Sequence, residues 1–232
     1  MNWLQKLDTR SNAYLGRLYH DSMHTSKDVI RHVGERLRSL GFRKEKFDVF
    51  SMPVSDHVFG WLGLNKATKW GLEINPVVGA RHQPTERIVA ECAESPFDRI
   101  IPATVAANIG YIAPQQKYMP FLFSEASSLT EVTDQMVGTI SAYGVPFMKD
   151  CADLNFIVDF MQAGGALNSS VEYRIPVGLH LLGRDSEADA YLQKRLEQIA
   201  DQTNAYAIYY RRFSANLKRR LKAGVTSSPM SG

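Results

Sequence analysis

Apolar residues in this chain recur at three- and four-residue steps in some stretches and run together or alternate in others, which separates predicted helices from predicted strands. After Ser26, the residues Val29, Ile30, Val33, Leu37 and Leu40 form one stripe, and Gly41 follows. A capping hydroxyl, a single apolar face and a terminal glycine predict a helix. Before it, Tyr14, Leu15, Leu18 and Tyr19 outline a shorter helical face. The pattern then turns extended: Phe47 and Val49 alternate with Asp48 and Phe50, and Val58–Leu64 and Leu72–Val78 are β-branched, aromatic or otherwise apolar. Pro53, Ser55-Asp56, Gly71 and Pro76 punctuate these segments. Proline suits a first helical turn, and Ile88, Val89 and Cys92 share a face, so Pro84 to Ala93 is expected to be helical. Val105–Ala113 is expected to be a strand closed by Pro114.

The second half is helical in pattern. Ser128 can cap a helix bearing Leu129, Val132, Met136, Ile140 and Tyr143, ended by Gly144 and Pro146. Asp153 can cap another with Leu154, Ile157, Phe160 and Met161, ended by Gly164-Gly165. Ser186 opens a third with Ala188, Leu192, Leu196 and Ile199, and a last helix carries Tyr206, Tyr210, Phe213, Leu217 and Leu221. The expected fold is therefore α+β: an N-terminal helix with an antiparallel sheet, followed by a helical C-terminal half. The character changes near Pro114–Ser128, giving a sheet-containing part at 1–120 and a helical part at 121–222, as two domains or as the two halves of one. Residues 223–232 are small and polar and are expected to form a flexible tail. No internal repeat has a fixed period.

The run Leu40-Gly41-Phe42-Arg43-Lys44, behind an amphipathic helix and ahead of Phe47, resembles the opening of uncharacterised bacterial domain families, in which a helix leads through such a turn into an antiparallel sheet. Trp61-Leu62-Gly63-Leu64-Asn65 and Leu72-Glu73-Ile74-Asn75-Pro76 are similar to the strands there. The resemblance covers about residues 26–80. It implies the α+β fold and no activity, cofactor or catalytic residue.

Charge adds an asymmetry that the formal total of +3 conceals. After Asp201 there is no acidic residue but six basic ones, Arg211, Arg212, Lys218, Arg219, Arg220 and Lys222; without them the chain has 21 basic and 24 acidic residues. On a helical wheel Arg211, Lys218 and Lys222 line one side of the face opposite the apolar stripe, and Arg212 and Arg219 the other. This basic helix is the expected partner- or phosphate-binding surface. Its aromatic residues are at core spacing, so they are expected to dock on the protein rather than stack on bases.

Candidate chemistry is sparse. His20 and His24 stand four apart, as two metal ligands can, but Asp21 follows where a metalloprotease has glutamate and a third ligand is not apparent. Arg81-His82, just beyond the Leu72–Val78 segment, are expected in a plain loop; the alternative is that His82 acts as a base oriented by Glu86, four residues on; Asp56 and His57 are further polar residues of that half. Gly164-Gly165 and Gly178–Gly183 lack the sequel of a phosphate loop and suggest helix stops, and no G-x-S-x-G occurs. Cys92 and Cys151 suggest free buried thiols. No cofactor or metal is expected.

No stretch approaches the ~20 apolar residues that span a bilayer, and the N-terminus lacks the apolar core of a secretory signal. A cytoplasmic location is the expectation. These features point to a non-enzymatic binding or regulatory protein acting through a protein partner. The alternatives are a nucleic-acid-associated protein using the basic helix, and an enzyme whose site is assembled from scattered residues.

Overall fold

A computed structural model describes residues 25–68, 71–124, 127–167 and 170–225. His20, His24 and the Tyr14–Tyr19 face lie outside the described residues. The fold is α+β. Helix α1 (Ser26–Arg38) is capped by Thr25, one residue before the expected Ser26, whose Oγ1 accepts the Asp28 N–H at 3.1 Å. Val29, Ile30, Val33 and Leu37 are its buried face. Gly41 at φ 88° turns the chain, a conformation in which a Cβ is strained, and buries Phe42.

Among the described residues, strands β1 (Arg43–Lys44), β2 (Val49–Pro53), β3 (Val58–Ala67), β4 (Leu72–His82), β5 (Val105–Asn108) and β6 (Phe121–Phe123) form one antiparallel sheet. Phe47 does not join the alternation: it is 77% exposed at φ 56°, in the turn before β2. The long strand β4 pairs with β3 from Glu73 to His82. Its other edge is shared, Leu72–Ile74 with β6 and Val77–Ala80 with β5. The Thr104 N–H binds the Ala80 carbonyl, so the even-numbered residues of β4 face that shared edge. Pro76 therefore falls in the break between the two partners, where its missing N–H costs no ladder bond.

This sharing corrects one expectation. Val105–Ala113 is not a continuous strand: pairing ends at Asn108, β6 occupies the next part of the β4 edge, and the chain leaves through the short helix α3 (Ile109–Ile112). Helix α2 (Gln83–Ala93) precedes β5.

The helical half begins with α4 (Leu129–Thr139), capped by Ser128. It does not stop at Gly144 and Pro146. A π turn at Ile140–Gly144 leads directly into α5 (Val145–Asp150). Proline clashes with the carbonyl four residues back and lacks the N–H that would bind it, and a widened turn accommodates both. The π turn and α5 lie on the inner face of β3 and β4. Gly60 permits this approach, since a Cβ there would lie 2.8 Å from Met148 Sδ.

Helix α6 (Leu154–Gln162) is capped by Asp153. Helix α7 (Val171–Leu181) contains Gly178, which is no helix stop: a Cβ there would meet Val158 at 2.6 Å. Gly183, at φ 73°, ends it. Helices α8 (Asp185–Gln198) and α9 (Ala205–Val225) are the last described elements, α9 taking in the first residues of the expected tail. One contiguous apolar core runs from Val29 through Leu62, Val78 and Met148 to Phe213 and Leu221.

Candidate functional site

Helix α9 docks on α2, α7 and α8 through its expected stripe. Tyr210, Phe213 and Leu217 are fully buried, and Tyr173 of α7 meets Tyr210 and Phe213 edge-on. Most of the basic residues have partners within the chain. Arg211 Nη2 donates to the carbonyls of Ile199, Ala200 and Gln202 at 2.7, 2.9 and 2.8 Å, placing a cation at the negative end of α8. Arg212 pairs with Glu94 at 3.4 Å, Lys218 with Asp189 at 3.3 Å and Arg220 with Glu91 at 3.0 Å, while Arg219 donates to Asn216. Lys222 is exposed. The basic stripes thus interleave with carboxylates of α2, its C-terminal cap and α8. Exposed pairs of this kind contribute about 0–1 kcal/mol each and stay open to other partners.

The outward line of α9 holds residues that lie off the predicted stripe: Ile208, 59% exposed, and Tyr209, 57% exposed, followed by Arg212, Ala215, Arg219 and Lys222. The Arg212 guanidinium sits 5.3 Å from the Tyr209 ring centroid. Their signal in the sequence was that they are apolar where the wheel turns to solvent.

A second arrangement joins the end of β4 to α2 and α7. Arg81 is the penultimate residue of β4, and Glu86 lies in the first turn of α2, facing inward. Arg174 reaches it from α7, Nε to Oε1 at 2.7 Å and Nη2 to Oε2 at 3.3 Å. Arg81 Nη1 stands 3.3 Å from Glu86 Oε2, and the three side chains are at most 4% exposed. Arg81 also donates to the carbonyls of Asp98, Arg99 and Pro102, holding the loop after α2. Burial depresses its pKa from the ordinary arginine value, partly offset by Glu86 and Asp98. These groups line a cleft of about 200 Å³ with Val89, Ala90, Ala93, Phe97 and Tyr173. Nothing in the sequence brought Arg174 to Glu86.

The alternative pairing of His82 with Glu86 does not form. His82 is the last residue of β4 and is buried, not in a loop, and its Nδ1 caps α2 by accepting the Thr85 N–H at 3.3 Å, with Thr85 Oγ1 at 2.8 Å. Burial, reinforced by nearby His57, pushes its pKa down to about 4, so the ring stays neutral. Glu86 is held by the arginines instead. Asp56 and His57 are exposed in the turn between β2 and β3. His57 lines a separate cleft of about 420 Å³ with Arg87, Glu91, Leu181 and Arg220.

Among the described residues no three His, Cys, Asp or Glu side chains gather as a metal site, and no helix is long and apolar enough to cross a membrane. Cys92 and Cys151 are free and buried. No protein-family model, curated protein or solved structure matches the chain.

Proposed function

We propose that this is a non-enzymatic binding protein whose partner is another protein, seated on the outward line of α9. The observation that carries this reading is Ile208 and Tyr209, two large apolar side chains exposed side by side on a rigid helix with Arg212 against the tyrosine ring. Tyrosine and arginine are the residues most enriched where binding energy concentrates. A helix docked by its opposite face presents them without an ordering cost. Arg219 and Lys222 extend the line and suit an acidic partner.

A nucleic-acid partner is the competing use of the same helix. The carboxylates of Glu91, Glu94 and Asp189 lie among its cations, which lowers the potential offered to a phosphate backbone.

The test is a quantitative affinity purification with the wild type and with an Ile208→Ser/Tyr209→Ser variant. The reading expects a stoichiometric protein at moderate salt that the variant loses. Equal recovery by both, or retention of nucleic acid abolished by modest salt, rejects it.

A further inference from the structure

The cleft between α2, α7 and the 95–102 loop carries a charge that its own carboxylates do not balance. Arg81 and Arg174 face one shared carboxylate, Glu86, and burying an ion without a counter-charge is costly. Asp98, at the rim, acts on Arg81 from a distance, but its charge is shared with a further cation. Its carboxylate is paired with Lys46 and accepts the N–H groups of Ile100 and Ile101 at 2.8 and 2.9 Å. These contacts, Lys46 first, keep it ionised far below the usual carboxylate range. Arg81, Arg174 and Lys46 against Glu86 and Asp98 leave a balance of one positive charge.

The two arginines differ in how they are occupied. Arg81 is spent on the loop carbonyls and Glu86. Arg174 donates to the two oxygens of Glu86 and, at 3.3 Å, to the Ser170 carbonyl. A guanidinium has five N–H groups, so Arg174 has capacity beyond these acceptors, and it lines the cleft. The remaining wall is largely apolar. A cavity of ~150 Å³ suffices for benzene, and this one is about 200 Å³.

We propose that the cleft binds a small monocarboxylate with an apolar body, its carboxylate on Arg174 and its body against Val89, Ala90, Ala93 and Phe97. One negative charge neutralises the cluster, whereas a dianion such as phosphate overcompensates it. Planar carboxylate oxygens also match the guanidinium fork. This site is distinct from the α9 surface, and neither proposal depends on the other.

Benzoate is the probe, titrated into the full chain by calorimetry and by two-dimensional amide NMR, with benzamide as its uncharged counterpart and inorganic phosphate as the dianion. Saturable benzoate binding is expected, with amide shifts centred on Ala90–Phe97 and Tyr173–Arg174. Benzamide is expected to bind about tenfold more weakly or less. The variant Ala93→Leu, which fills the cleft without touching the charged cluster, abolishes binding. Equal affinity for benzoate and benzamide, stronger binding of phosphate, or shifts elsewhere overturns the proposal. If Ala93→Leu fails to fold, the wild-type comparison of the three probes still decides.

Discussion

Arg174 grips Glu86 through two N–H···O bonds, with both side chains 4% exposed and the two residues 88 positions apart in sequence. Glu86 is also the counter-charge of Arg81, so its removal strips both arginines, whereas removal of Arg174 leaves Glu86 one partner. Glu86→Gln is therefore expected to cost about 3–5 kcal/mol and Arg174→Met measurably less. Urea unfolding of the two variants at pH 7 checks the order; a larger cost for Arg174→Met contradicts the arrangement.

His82 makes stability depend on pH in a defined window. Its folded pKa, about 4, lies below the ordinary 6.5, so the unfolded chain binds the proton more readily. Stability therefore rises with pH between about 4 and 6.5, by about 3 kcal/mol at most from this group. His82→Asn keeps a capping acceptor and removes the titration. Its urea-unfolding free energy, followed from pH 4.5 to 7.5, is expected to be flatter than that of the wild type.

Arg211 and Lys222 are predicted to separate structural from spare charge on α9. Arg211→Ala frees three carbonyls at the end of α8 and is expected to cost about 1–2 kcal/mol. Lys222→Ala is expected to stay within about 0.5 kcal/mol. Thermal unfolding of both variants is the measurement.

The exposed pair Ile208 and Tyr209 contributes little to folding if it serves a partner. Serine at either position is expected to change stability by no more than about 0.5 kcal/mol, read by the same unfolding assay that precedes any binding comparison.

Cys151 is fully buried and its thiol is pushed up to about 12, by burial first and then by Asp150; burial also raises Cys92. The native protein is expected to react slowly with a disulfide reagent at pH 8, and both thiols are expected to react promptly in urea. Fast reaction of the folded chain contradicts the burial.

The fold class was legible because its main elements follow a single period. The stripes from Val29 to Leu37 and from Tyr206 to Leu221 bury on one side, and periodicity reports that directly. Helix α7 was missed because Arg174, Ile175, Val177 and Leu179 are buried around most of its circumference, which erases the stripe, and because Pro176 and Gly178 imitate a break. Strand β6 is too short to have a period. The basic residues of α9 were visible, but their carboxylate partners were not, since pairing Arg220 with Glu91 requires packing across 129 positions. The Arg81–Glu86–Arg174 cluster was hidden for the same reason: a helix, a strand end and a distant helix meet only in space.

Pro76 divides the exchange behaviour of the β4 edge as well as its pairing. The amides of Leu72 and Ile74 depend on the three residues of β6, and those of Val78 and Ala80 on β5, with no ladder bond at Pro76 to link the two. The edge is expected to open as two cooperative units, with solvent deuterium reaching the β6 side before the β5 side releases its protons. Arg81 lies just beyond the β5 unit and its guanidinium holds the loop leading into that strand. Fluctuations that loosen β6 are therefore expected to leave the geometry of the arginine cluster undisturbed.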